Sequence, residues 1–262
     1  MVRTQHLLHG AMIAALCALL VASLPPWQIR VLAAVAADTA NSAINNCTAT
    51  TGPSFSITPS GSDRLLVIGG THFDTNNDAA VTITVGGSST GVTLRQDNEM
   101  GGNTRNVYLY YLLAPAASAL TVAATFSNNV DGDCALGAIA FSGVDQGTPF
   151  GTTANQTEQN TTTCTVSPSG GDAGGAVVQM VFGNGGTLSW NQTQQWEQES
   201  ILGGNASAGM QTVAGASATM TATLGSSGLN SCIGEVIMEA SAGGATPCLM
   251  GLLGVGCDVW PF

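Results

Sequence analysis

Beyond residue 36 the sequence holds one histidine, His72, placed between an apolar stretch and Phe73-Asp74. Histidine is the usual general base near neutral pH. A Ser-His-Asp arrangement would need distant residues to converge on it, and no Gly-x-Ser-x-Gly elbow accompanies it. It therefore reads as a strand-end or surface histidine, and no residue is given a catalytic role. Just after it, Asp74, Asn76 and Asp78 offer oxygen ligands at alternate positions, which suits calcium. An EF-hand loop would require glycine at Ala79 and glutamate at Val85, so an Asx-rich turn accounts for the same residues without an ion. Asp131-Gly132-Asp133 is a second turn of that kind. No other cofactor is implied.

Two carboxylate pairs have a spacing that glycoside hydrolysis could use, Glu197 with Glu199 and Glu235 with Glu239. On strands they share a face, and the expectation is a solvated one, with Glu235 and Glu239 pointing outward. Tyr108 and Tyr110 alternate along a strand, and Trp190 and Trp196 flank a loop. Aromatics so placed can stack on sugar rings, and core packing is their plainer use.

Six cysteines follow residue 36: Cys47, Cys134, Cys164, Cys232, Cys248 and Cys257. No CxxC or Cys/His cluster suggests zinc. An even count in an exported chain implies disulfides. Cys248 and Cys257 flank a short Gly-rich loop and are the expected pair, while the pairing of the other four is open among several alternatives.

The elements that must position these groups are strands. Ile83 and its neighbours Val81 and Val85 alternate with Thr82 and Thr84, and the same period of two recurs at Leu120–Phe126 and Ala218–Leu224. Such alternation marks half-buried strands. Further apolar runs fall at 65–69, 107–113, 138–142, 176–182, 195–201 and 233–240, separated by turn-rich stretches at 74–78, 86–91, 100–103, 128–133 and 225–231. The fold class predicted is all-β, an antiparallel two-sheet sandwich.

A basic start, an apolar run and Ala34-Val35-Ala36 give residues 1–36 the order of a secretory signal. Membrane contact is expected only through that segment if it stays uncleaved. Residues 37–52 read as an N-terminal linker, 53–242 as the sandwich, and 243–262 as a Gly-rich and then apolar tail. Within the sandwich, Ile57–Asp63 resembles Val166–Asp172, and Asp133–Phe141 resembles Ser231–Glu239, in the same order. The body is thus expected to consist of two sequence-related halves, 53–145 and 163–242, built as one unit and joined by a long exposed loop.

The chain lacks lysine, and after residue 36 it sets three arginines against 16 carboxylates, a net charge of −13. Three arginines on an acidic body cannot neutralise a phosphate backbone, which excludes nucleic acid as a partner. Asn46, Asn155, Asn160, Asn191 and Asn205 lie in Asn-x-Ser/Thr sequons.

Three stretches taken together carry a resemblance: Ser62-Asp63-Arg64-Leu65-Leu66-Val67, Val107-Tyr108-Leu109-Tyr110-Tyr111-Leu112, and the run from Gly137 through Phe141-Ser142-Gly143-Val144-Asp145 to Phe150. This order resembles a β-sandwich module of bacterial secreted and cell-surface proteins, often found beside fibronectin-type or other adhesive repeats, and it covers about residues 53 to 242. The resemblance implies a jelly-roll-like fold and an extracellular setting, and it brings no catalytic residues. The function expected is that of an extracellular structural or adhesive protein. Its partners would be surface or matrix components or copies of itself. Carbohydrate binding is the alternative and secreted hydrolysis the second.

Overall fold

The computed structural model describes residues 34–47, 49–74, 79–100, 105–201 and 206–241. The signal-like segment, the tail with Cys248 and Cys257, and Asn76, Asp78 and Asn205 lie outside them. The first part of the chain forms β1 (Ala36–Asn46), β2 (Thr51–Ile57), β3 (Leu65–Phe73), β4 (Val81–Val85), β5 (Thr93–Met100), β6 (Arg105–Leu113), β7 (Leu120–Phe126) and β8 (Asp133–Ser142). The second forms β9 (Ala154–Val166), β10 (Ala176–Gly183), β11 (Leu188–Trp190), β12 (Thr193–Ser200), β13 (Ala206–Ala214) and β14 (Met220–Ile237). Every strand pairing is antiparallel.

Sheet I runs β1-β8-β3-β6-β5 and sheet II β2-β7-β4. In sheet III the order is β14-β10-β13-β12, with β9 and β11 also pairing β14. One apolar core lies between sheets I and II, holding Leu66, Ile68, Ile83, Val122 and Leu136. A second lies between sheets I and III and draws Leu65, Val67, Ile139 and Phe141 from one half and Val178, Met180, Phe182 and Ile233 from the other. The halves therefore share a core. A third lies on the far face of sheet III, where Met220, Ala222 and Leu224 of β14 pack on Val177, Val181 and Val236.

This layering explains two kinds of sequence pattern. β3 and β10 are covered on both faces and read as near-continuous apolar runs, whereas β4 and β7 carry threonine on a wet face. The polar strands escaped the sequence reading. Residues 37–52, expected as a linker, contain all but the first residue of β1, which pairs along β8 from Ala36↔Ser142 to Asn46↔Asp133. The expected loop across 143–163 is strand from residue 154, and the expected turn at 225–231 lies inside β14. All three are rich in Asn, Thr, Ser, Gly or Ala, whose weak strand preference is overridden by a neighbouring strand that satisfies their backbone groups.

Two disulfides join Cys47 to Cys134 and Cys164 to Cys232, with Cα separations of 5.8 Å and 6.1 Å. The first ties the residue following β1 to β8, and the second ties β9 to β14. The two large sheets also share the order of their central strands, β8-β3-β6-β5 in one and β14-β10-β13-β12 in the other.

Candidate functional site

Sheet I and sheet II separate at the edge formed by β5 and β4, and a cleft of about 340 Å³ opens there. Its walls include His72 from β3, Asn106 and Tyr110 from β6, Asp97 and Glu99 from β5, and Leu94 and Val81 at its rim. The Tyr110 hydroxyl reaches across to the Val81 carbonyl at 3.4 Å. Asp97 and Glu99 stand two residues apart and so project from one side of β5, while Asn98 and Met100 between and beyond them are buried on the other.

His72 is only 3% exposed. Its Nε2 stands 3.4 Å from the Asn106 side-chain nitrogen, and its ring centroid lies 5.1 Å from that of Phe126 and 5.9 Å from that of Tyr108. Nδ1 has no hydrogen-bond partner. Burial pushes its pKa down to about 4, opposed in part by the Asp74 charge. Asp97 moves the other way, up to about 6, through loss of solvent at the cleft wall and then through the neighbouring Glu99 charge. Near neutral pH the cleft thus presents a neutral imidazole beside the Asp97 and Glu99 side chains.

The His72 shift has a measurable consequence. An unfolded chain protonates this imidazole below its ordinary 6.5, whereas the native one stays neutral to about 4. The unfolded state binds more protons in that window, so stability falls as pH drops through it, by about 3 kcal/mol for a separation of this size. His72→Gln should flatten this acid slope, read as the urea midpoint at pH 7 against pH 4. An unchanged slope would show that His72 is not its source. The Asp97 shift runs in the opposite sense and remains in both proteins, so it cancels in the comparison.

A second polar cluster fastens the halves together. Arg95 of β5 meets Glu235 of β14 with two hydrogen bonds, Nε to Oε1 at 3.1 Å and Nη2 to Oε2 at 3.0 Å. Thr153 donates its hydroxyl to Glu235 Oε1 at 2.6 Å, and Arg95 also reaches the Gly151 carbonyl at 3.2 Å and lies 4.9 Å over the Phe150 ring. The expectation that Glu235 points into solvent is corrected: it is fully buried. It shares the inner face of β14 with Ile233 and Ile237, which pack against sheet I. Burial raises its pKa, with Arg95 and Thr153 pulling it back down.

The remaining candidates separate. Glu197 accepts hydrogen bonds from the Leu188 amide, Trp190 Nε1 and Gln194, and so holds the β11–β12 corner instead of facing solvent with Glu199. Tyr108 and Trp196, considered for sugar stacking, are buried at 0% and 5% exposure. Tyr108 fills the space where Gly70 lacks a side chain, and the Trp196 indole lies against Gly137, where a Cβ would come within 2.2 Å of the ring. Neither ring can meet a sugar. Tyr110 and Trp190 are partly exposed. Asp74 uses Oδ2 to accept the Ala79 amide at 2.9 Å. Among the described residues, no group of three or more His, Cys, Asp or Glu side chains is placed to hold a metal ion. Of the sequons, Asn191 has its side chain committed to the Thr219 carbonyl and the Thr221 amide, at 3.1 Å and 2.8 Å.

Asp97 and Glu99, the carboxylates that do converge, escaped the sequence reading because β5 reads Thr-Leu-Arg-Gln-Asp-Asn-Glu-Met, a polar stretch. A register shift between Leu94 and Gln96 also breaks its alternation. The available signal was the short period from Asp97 to Met100, acid outward and Asn98 and Met100 inward. No family model, curated protein or solved structure matches this chain.

Proposed function

We propose that this chain is an extracellular structural or adhesive protein, a stiff double sandwich that holds its shape while its ends or surfaces are engaged by surface or matrix components or by further copies. The observation that carries this reading is the placement of the cystines. One ties Cys47, the residue after β1, to β8, and the other ties β9 to β14, with sequence separations of 87 and 68 residues. A pull on the two ends of the body cannot extend the chain inside either loop without breaking a covalent bond. Cystines also belong in an oxidising compartment, which agrees with an exported protein. The shared strand order of sheets I and III supports descent of the halves from one duplicated module, and a repeated two-layer unit is an economical way to build such a body.

The test is single-molecule extension of the oxidised protein held by its ends. Under reductant the same molecule should lengthen further by on the order of 50 nm, because the two enclosed loops, of 87 and 68 residues, extend at roughly 3.4 Å per residue. An oxidised molecule that already reaches the full reduced length would overturn the load-bearing reading.

A further inference from the structure

The second half shows what fits the notch that the first half leaves open. Counting along the ladders from the equivalent cysteines, Thr71 pairs with Ala135 as Met180 pairs with Ile233, so His72 and Val181 occupy matching positions. Their partners are Asn106 and Gly209, and the partners of those on the next strand are Glu99 and Glu197. In the second half an indole occupies this place. Trp190 lies on Gly209, where a Cβ would stand 2.8 Å from its ring, and its N–H donates to Glu197 Oε2 at 2.9 Å. In the first half the corresponding carboxylate, Glu99, lines the open cleft together with Asp97. At the inner wall His72 keeps its buried Nδ1 without a partner.

We propose that this cleft binds a flat aromatic ring bearing an N–H donor and a positive charge, of the indole-amine type. The ring N–H donates to Glu99, as that of Trp190 does to Glu197, and the cation lies beside Asp97, with Tyr110 and Leu94 along the apolar edge. A volume of about 340 Å³ is within the range of small-molecule sites. Among the described residues neither lysine nor arginine lines the cleft, so anionic rings are disfavoured. The same chemistry could arrive as a free amine or as a tryptophan beside a basic residue on another chain. The inference does not depend on the load-bearing reading, since the cystines and the cleft use different groups.

Calorimetry on the oxidised full chain tests it with four probes: tryptamine, the peptide acetyl-Lys-Trp-Gly-amide, indole-3-acetate and cellobiose. Saturable binding of tryptamine or of the peptide is expected, with the tighter of the two naming the source, and indole-3-acetate should give no signal. Glu99→Gln and Asp97→Asn should each weaken binding about tenfold, the usual effect of losing a hydrogen bond or contact to a charged acceptor. Both sit on an exposed edge, and their thermal midpoints check folding. Should either variant fail to fold, the wild-type pH profile decides. Affinity for tryptamine should rise from pH 5 to pH 8 as Asp97 ionises near 6, while His72 stays neutral throughout. Glu99 is the other acid in the cleft, and Asp74, Tyr108 and Tyr110 are the remaining ionisable groups among the described residues that face His72 or Asp97. Absence of saturable binding by both cationic probes, unchanged affinity in both variants, a flat pH profile, or preference for indole-3-acetate or cellobiose would each overturn the proposal.

Discussion

Arg95→Met is expected to destabilise the protein by about 3–5 kcal/mol at pH 7, the usual cost of leaving one member of a buried ion pair without its partner. The carboxylate of Glu235 is completely buried, and Arg95 supplies two of the hydrogen bonds that hold its charge. Thr153 supplies the third, and one hydroxyl cannot offset the loss of a guanidinium. The effect should depend on pH in a definite sense. Burial already raises the native pKa of Glu235, and removing Arg95 raises it further. Below the ordinary glutamate range both native and unfolded states carry the proton, and the missing charge partner costs little. As pH rises, the unfolded chain gives up its proton and the native one resists, so the loss of stability grows toward pH 8. Urea denaturation of wild type and variant at pH 4 and pH 8 measures this. Equal differences at the two pH values would remove the ion pair as the cause. Adding Glu235→Met to Arg95→Met should recover much of the loss, because an apolar pair leaves no charge unpaired.

Removing either cystine should cost a comparable amount by a different route. Loops of 87 and 68 residues give about 4–5 kcal/mol each in the chain-entropy account, since the bridge restricts the unfolded chain more than the native one. The loops do not overlap, so the two effects should nearly add. Against a typical domain stability of roughly 5–15 kcal/mol, the paired changes Cys47→Ala with Cys134→Ala would leave a marginal protein, and loss of both bridges an unfolded one. Denaturation of the two double-alanine variants under oxidising conditions supplies the measurement. A shift below about 1 kcal/mol in either would show that its bridge adds little to the fold.

Both predictions join groups that are far apart in the chain, and that distance separates what could be read from what could not. The strands at 81–85 and 120–126 were legible because one face meets a core and the other meets water, which writes a period of two into the residues. β3 and β10 were legible as strands by their apolar density, although nothing in that density says that both faces would be covered. The cysteines announced disulfides without announcing partners, because pairing depends on which Cα atoms the finished sheets bring within about 6 Å.

By itself the sequence determined an all-β class, an acidic body and an even set of six cysteines for disulfides, because these follow from composition and local period. Only the tertiary structure decided that Glu235 is buried against Arg95 and that Tyr108 and Trp196 are core. It also decided that Asp97, Glu99 and His72 face one cleft while the matching place in the other half is filled by Trp190. Each of those outcomes depends on which strand lies opposite in the next layer, and layer packing is set by long-range pairing that no local pattern encodes.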